Sequence, residues 1–406
     1  MEHTTLSKKA EVYLTHLCHR IPNRRVGTEG NRMATDYFAR TVAQFGFDVK
    51  MPVFECVDWI DHGAHILTPN GDVFEVSSSP YTFGCQVEAQ LTVVRSVGEL
   101  EDIQVKDSVL MLIGEIATEQ VMPKNFPFYN PEHHQHIVRL LEEQAPLAII
   151  TATGQNPELA GGMYPFPMIE DGDFNIPSVY MKDVDGEELA VFAGQVISLM
   201  IDSERIPAVG YNVIARKPSG SGPRVVLCAH IDAKDNTPGA LDNGTGVVVL
   251  MLLAELLSDH DGPTVVELLT MNGEDHYSAQ GHKEYIQAEQ AEFDQILLAI
   301  NTDVAGYREG VSAYSLYGTS DQVSALVREV MGRYDSLQEG DQWYQSDHSV
   351  FIQNGRPAMA ITSEHFMRLS MEVTHTPKDD LDLVDYDKLV DVALSLRALV
   401  DKLDQC

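Results

Sequence analysis

From Val225 to Ala229 the chain runs through five consecutive β-branched or apolar residues, a pattern that predicts a fully buried strand. From about Thr245 to Leu257 a second, almost entirely apolar run predicts a helix hidden in the core and too short to span a bilayer. His230, Asp232 and Asp242 fall in the polar interval between them, where Pro238 and Gly239 mark a loop. Ionisable side chains are thus held where a strand ends and a helix begins, the position at which open α/β sheets bind ligands.

The same patterning, followed in order, divides the chain. Residues 7 to 47 predict two helices joined by the polar turn RIPNRRVGTEG, the second from about Asn31 to Phe45 with Met33, Tyr37, Phe38, Val42 and Phe45 near helical spacing. From about Asp58 the texture becomes alternating, with a hairpin at Pro69-Asn70-Gly71. Strands are expected at 108–114, 147–154, 176–181 and 196–201, a helix around Pro131 to Gln144, and a loop over 156–173. This block holds one or two helices and interrupts an α/β pattern that resumes at YNVIARKP. Strand and helix then alternate: strands at 264–271, 295–301, 312–317 and 357–362, helices from about Ser278, over Gln322 to Tyr334, and over Tyr386 to Leu403. The fold class expected is α/β, a mixed, mostly parallel sheet flanked by helices, with an inserted β-rich domain. Its boundaries are read as 1–57 and 206–406 for the main domain and 58–205 for the insert.

Composition changes the picture in what it excludes. In 406 residues there are 28 Lys and Arg against 61 Asp and Glu, a net charge of −33. Such a charge repels phosphate backbones, so nucleic acid and anionic membranes are not expected as partners. No run is long enough for a membrane span and the first twenty residues lack an apolar signal core, which reads as cytoplasmic, or secreted if a leader was removed. Cys18, Cys56, Cys85, Cys228 and Cys406 are scattered without a CxxC pair and read as reduced thiols. His133, His134 and His136, with no acidic partner at ligand spacing, read as an exposed turn.

The candidate chemistry lies at the strand ends: His230 and Asp232, Asp242, Glu274 and Asp275, Asp303, and His375 in THTPKDD. Singly each has a structural explanation, such as a core histidine, an N-cap for Asp242 or a turn residue for Asp303. As a set they match a charge requirement. Asp242, Asp275 and Asp303 with two neutral imidazoles return three negative charges to the four of two divalent cations, and the remaining positive charge favours deprotonation of water near neutral pH. One carboxylate must bridge if the ions are to sit about 3.5–4 Å apart, and Asp242 is the natural choice. Nitrogen and oxygen donors without thiolate suit Zn2+, with Co2+ or Mn2+ as possible substitutes. Glu274, adjacent to Asp275, is placed to stay unligated as a general base, and Asp232 to orient the His230 imidazole.

The motifs HID, GALDNGTG, NGED followed by HKEY, NTDVAG, SDHSVF and THTPKDD, in this order, resemble the M28 metallopeptidases, which include di-zinc aminopeptidases; RRVGTEGNRMATDYF looks like the opening of that catalytic domain. APLAIITATG and IPSVYMKDVDGEEL resemble the protease-associated (PA) domain inserted in many members. The resemblance implies a zinc exopeptidase fold, one metal on His230 and Asp303, the other on Asp275 and His375, Asp242 bridging, Glu274 as base and Asp232 as imidazole partner. It also implies a cis peptide at Asp242–Asn243. Two departures stand out: Thr374 where several relatives carry a tyrosine that stabilises the tetrahedral intermediate, and Asp275 where a glutamate is common. Tyr344, Ser346, Asp347 and His348 are candidates to line or brace the substrate pocket, and Phe366, Met367 and Met371, in the loop before THTP, to form an apolar side-chain pocket. The function expected is an aminopeptidase acting on peptides. The alternatives are a carboxypeptidase or dipeptidase, with Arg308, Arg356 or Arg368 holding the terminal carboxylate, a single-zinc acyltransferase resembling glutaminyl cyclases, and a catalytically dead receptor-like module.

Overall fold

A computed structural model of the chain describes every residue except 1, 22, 156–162, 218–221 and 406, so Cys406 and the first part of the expected 156–173 loop lie outside the described residues. The chain divides into two compact units, one of residues 1–56, 209–369 and 373–406, the other of 57–208 with 370–372.

The first unit is built on an eight-stranded sheet in the order Asp48–Lys50, Val213–Arg216, Val265–Met271, Arg224–His230, Ile296–Thr302, Ala358–Ser363, Ser312–Tyr317, Leu337–Glu339. The four strands from Val265–Met271 to Ala358–Ser363 are mutually parallel, and the outer pairings include antiparallel ones. The sheet is therefore mixed α/β, as the alternating pattern predicts. Helices His3–Thr15, Glu29–Ala43, Thr245–Leu256 and Tyr386–Leu403 share one apolar core with the sheet. Thr245–Leu256 has ten residues buried and none charged before Glu255, because it lies between the sheet and other helices rather than at the surface.

The connectivity places the site. After Arg224–His230 the chain pairs its next long strand, Val265–Met271, on one side, then crosses to pair Ile296–Thr302 on the other. That reversal is a topological switch point, and the crevice it opens faces the carboxyl ends of the strands. His230 pairs with Met271 in register, so Glu274 and Asp275, just past Met271, and Asp303, just past Thr302, emerge beside it. Close approach of helix to strand demands glycine: a Cβ on Gly246 would lie 2.2 Å from the Thr302 carbonyl oxygen and 2.4 Å from Asn243 Oδ1.

The second unit is a closed barrel of seven strands in the order Val53–Leu67, Val73–Ser78, Ser178–Lys182, Ala148–Thr153, Ser108–Ile113, Cys85–Val94, Val196–Tyr211. Its helices are Val97–Asp102, Glu132–Gln144 and Asp183–Ala190, one more than the pattern suggested; the first and last are too short to show a clear period. The histidines His133, His134 and His136 do not form a turn but open the helix Glu132–Gln144. His134 is buried, its Nδ1 accepts from the Met122 N–H (3.2 Å) and its Nε2 faces Glu119 Oε1 at 3.3 Å, so the neutral ring carries its proton on Nε2 and offers no lone pair to a metal. Phe366, Met367 and Met371 likewise sit not in a loop but on helix Phe366–Glu372, anchored by buried Leu369. Among the described residues no helix is long and apolar enough to cross a membrane, and Cys18, Cys56, Cys85 and Cys228 form no disulfide.

Candidate metal centre

Five side chains from five separate stretches converge at the switch point. His230 Nε2 lies 3.1 Å from Asp242 Oδ1 and 3.5 Å from Asp303 Oδ1. His375 Nε2 lies 3.1 Å from Asp242 Oδ2 and 3.0 Å from Asp275 Oδ1. The Asp242 carboxylate thus turns one oxygen to each imidazole, with a second carboxylate beside each. His230, Asp242, Asp275 and Asp303 are buried, and His230 Nε2, Asp275 Oδ2 and Asp303 Oδ1 have no hydrogen-bond partner. Buried polar atoms are ordinarily satisfied, so unpartnered donors that face one another fit a cation between them. His230, Asp242 and Asp275 offer ligand atoms all within 4.8 Å of one another.

The backbone carries unusual geometry at the same place. Asp242–Asn243 is cis, and Val304 and His375 hold φ of 56° and 62°, a region costly for a β-branched residue and uncommon for histidine. Both follow or coincide with a site residue, so the surrounding fold over-determines where Asp303 and His375 point.

The charges explain themselves by mutual compensation. Desolvation opposes a charged His230, but Asp303, Asp232 and Asp242 outweigh it and raise its pKa well above the usual imidazole value. His375 is raised in the same way, Asp275 and Asp242 overcoming burial. For Asp242 burial is outweighed by His230 and His375, which hold it below the ordinary carboxylate range. At both imidazoles the facing carboxylates thus favour positive charge. Glu274 is different: desolvation first, then the carboxylates Asp275, Asp303 and Asp347, push it well above the usual Glu range, opposed by His230. Glu274 and His375 are only partly buried, so they are the groups of the cluster on the side open to a substrate.

Surrounding residues aim these groups. Asp232 accepts from the backbone N–H groups of Gly273 (2.7 Å), Glu274 (3.3 Å) and Asp275 (3.0 Å), while its Oδ1 lies 3.8 Å from His230 Nδ1, longer than a hydrogen bond. It therefore shapes the turn that presents Glu274 and Asp275. Ser346 Oγ donates to Asp303 Oδ2 (2.6 Å), leaving Oδ1 to face His230. Asp347 Oδ1 lies 2.6 Å from His282 Nε2, both fully buried, and His348 Nε2 donates to the Trp343 carbonyl (2.7 Å). Ser346, Asp347 and His348 are thus packed behind the cluster. Tyr344 and Met367 are exposed, and Trp343, which the sequence reading did not single out, packs on Phe366 with ring centroids 4.5 Å apart. Thr374 is buried.

Burial of His348 has a measurable consequence. Desolvation lowers its pKa from 6.5 to about 4, so below pH 6.5 the unfolded chain takes up a proton that the native ring refuses. Stability present above pH 6.5 is lost progressively as the pH falls toward 4, by roughly 3 kcal/mol for this group. Urea titrations are expected to show that loss, and a shallower one in His348→Gln; identical pH slopes would contradict it.

The mixed α/β sheet with ionisable side chains gathered at its switch point defines the class of fold, and comparison with known proteins bears on it. Residues 212–400 match the model of peptidase family M28. The probable lipoprotein aminopeptidase LpqL of Mycobacterium tuberculosis is 24% identical over 278 residues, 65% of this chain and 51% of that protein. The probable leucine aminopeptidase 1 of Trichophyton verrucosum is 27% identical over 219 residues, 48% of this chain and 58% of that one. The chain thus spans about half the length of these curated relatives. Among solved structures, the aminopeptidase from Aneurinibacillus sp. strain AM-1 superposes with a TM-score of 0.75 at 20% identity, over 98% of this chain and 93% of that one. BSAP, a zinc aminopeptidase from Bacillus subtilis, gives 0.74 at 19%, over 98% and 95%. These likenesses show the fold.

Proposed function

We propose that the protein is a co-catalytic di-zinc exopeptidase that removes N-terminal residues from peptides. The observation that carries this reading is the Asp242 carboxylate, whose two oxygens face two histidines that each have a separate acidic neighbour. His230 and Asp303 would hold one ion, Asp275 and His375 the other, and Asp242 would bridge. Bound there, the ions would act as Lewis acids toward the scissile carbonyl and lower the pKa of water. Glu274, ionised at the start of the cycle, accepts the proton of the attacking water and delivers it to the leaving amine. Asp232 keeps Glu274 and Asp275 pointing apart so that one ligates and the other stays available.

The choice of aminopeptidase follows from charge. The groups acting most strongly on Glu274 are three carboxylates and His230, with no Lys or Arg among them, which suits a substrate's α-ammonium rather than its carboxylate. The three arginines that could serve a carboxypeptidase are otherwise engaged: Arg308 with the Asp382 carbonyl, Arg356 with Asp294, Arg368 with Glu309 and Tyr307. A second, independent acidic group at each histidine favours two ions over the single one of a cyclase-like acyltransferase. The seven-stranded barrel supports reading the inserted unit as PA-like. Metal analysis of the purified protein is expected to give two zinc ions per chain, and amino-acid anilides are expected to be cleaved where N-acetylated peptides are not. Cleavage confined to blocked peptides, or one tightly bound ion without hydrolysis, would refute the reading.

A further inference from the structure

The loop from Ile231 to Asp242 joins two of the candidate ligands, and its own side chains Asp232 and Asp235 hold part of it. Its backbone is gripped in addition by two buried residues of opposite charge from distant parts of the chain. Arg24 donates from Nε to the Ile231 carbonyl (3.1 Å), from Nη1 to Pro238 (2.8 Å) and from Nη2 to Gly239 (2.8 Å). Asp379, fully buried, accepts at Oδ1 from the Leu241 N–H (2.7 Å) and at Oδ2 from the Asp242 N–H (3.0 Å), while its own carbonyl accepts from Ala240 (3.2 Å). Three successive backbone donors, on residues 240 to 242, thus end on one amino acid.

That amino acid is only four residues beyond His375, and the intervening turn is closed by bonds from Asp379 N–H to the Thr376 carbonyl (3.1 Å) and from Thr376 Oγ1 to the Val373 carbonyl (2.6 Å). The spacing between Asp242 and His375 is therefore set through a short, fully bonded path. We infer that Asp379 is a positioning residue of the metal centre, fixing the backbone of the bridging Asp242 in front of His375 so that one carboxylate serves two ions. A carboxylate is needed because both partners are donors: an amide at this position would offer an oxygen to one N–H and an NH2 group to the other.

The inference rests on the di-zinc reading, and the test separates the two. Zinc affinities of the wild-type protein and Asp379→Asn are measured by competition with a chromophoric chelator, alongside the visible spectrum of the cobalt-loaded forms and the melting temperature without metal. Removing a residue that orients a ligand costs typically 10–100-fold in metal affinity. Asp379→Asn is expected to bind the pair of ions at least tenfold more weakly and to show an altered cobalt spectrum. Asp379→Glu, which retains both acceptor oxygens on a longer stem, is expected to fall between the two and decides the matter if the asparagine variant does not fold. Unchanged affinity and spectrum, with only a lower melting temperature, would reduce Asp379 to a structural role and overturn the inference while leaving the di-zinc reading intact. A wild-type protein that takes up no ions would instead overturn the di-zinc reading, and the inference with it.

Discussion

Replacing Glu274 by glutamine is expected to lower kcat by about 10²–10⁴-fold, the range typical of a lost general base, with KM and ion content nearly unchanged. The substitution keeps the length and shape of the side chain and removes only its capacity to take a proton. Glu274 has no part in the facing of Asp242 by His230 and His375, so the ions have no reason to leave. Its backbone N–H still reaches Asp232, so the turn that presents it is preserved. Steady-state assays on an amino-acid anilide, with metal analysis of the same preparation, check both halves. Full activity in Glu274→Gln would remove it from the proton transfers altogether.

Changing Asp242 to asparagine should do something different, because Asp242 is the group both halves of the site share. One of its oxygens becomes an NH2 group, which repels a cation where the carboxylate attracted one, and one of the three carboxylate charges facing the two imidazoles disappears. Both ions are therefore expected to be lost together, dropping metal content well below two per chain and activity by more than the ~100-fold that follows from removing an outer partner of a ligand. Added zinc should restore little. Equilibrium dialysis against buffered zinc measures this directly, and retention of one full equivalent at wild-type affinity would show that Asp242 serves one ion rather than two. The contrast between the two variants, catalysis lost with metal kept and catalysis lost with metal gone, distinguishes proton transfer from metal binding within a cluster only a few ångströms across.

Much of the architecture was legible because it follows from local period. The run Leu389, Val392, Ala393, Leu396, Leu399 marks one face of a helix, and Tyr386–Leu403 is that helix, with all five buried. Val225 to Ala229 reads as a strand buried on both faces, and every residue from Arg224 to His230 is buried. Shorter elements escaped. Asp48–Lys50 and Leu337–Glu339 are three residues each, and Phe366–Glu372 is held by a single buried leucine, too little sequence for a period to emerge. His133, His134 and His136 fall within the helix expected around Pro131 to Gln144, and what failed was reading them as an exposed turn: polar residues in a first turn look like a loop until the apolar face of Ile137, Val138 and Leu141 is seen beneath them.

What the sequence by itself determined was the kind of chemistry and its address: which donors exist, that they lie just past strand ends, and that an unpaired excess of carboxylate among them calls for cations. Proximity in the chain sufficed for that, because strand, loop and helix succeed one another within a few residues. Which oxygen of each carboxylate faces which imidazole, and what holds it there, was decided only in three dimensions. Asp379 meets the Asp242 N–H across 137 positions, Ser346 meets Asp303 across 43, and Arg24 meets Gly239 across 215. A hydrogen bond is satisfied only when donor and acceptor are brought within about 3 Å at the right angle, and for groups so far apart along the chain only the packed sheet and its covering helices do that.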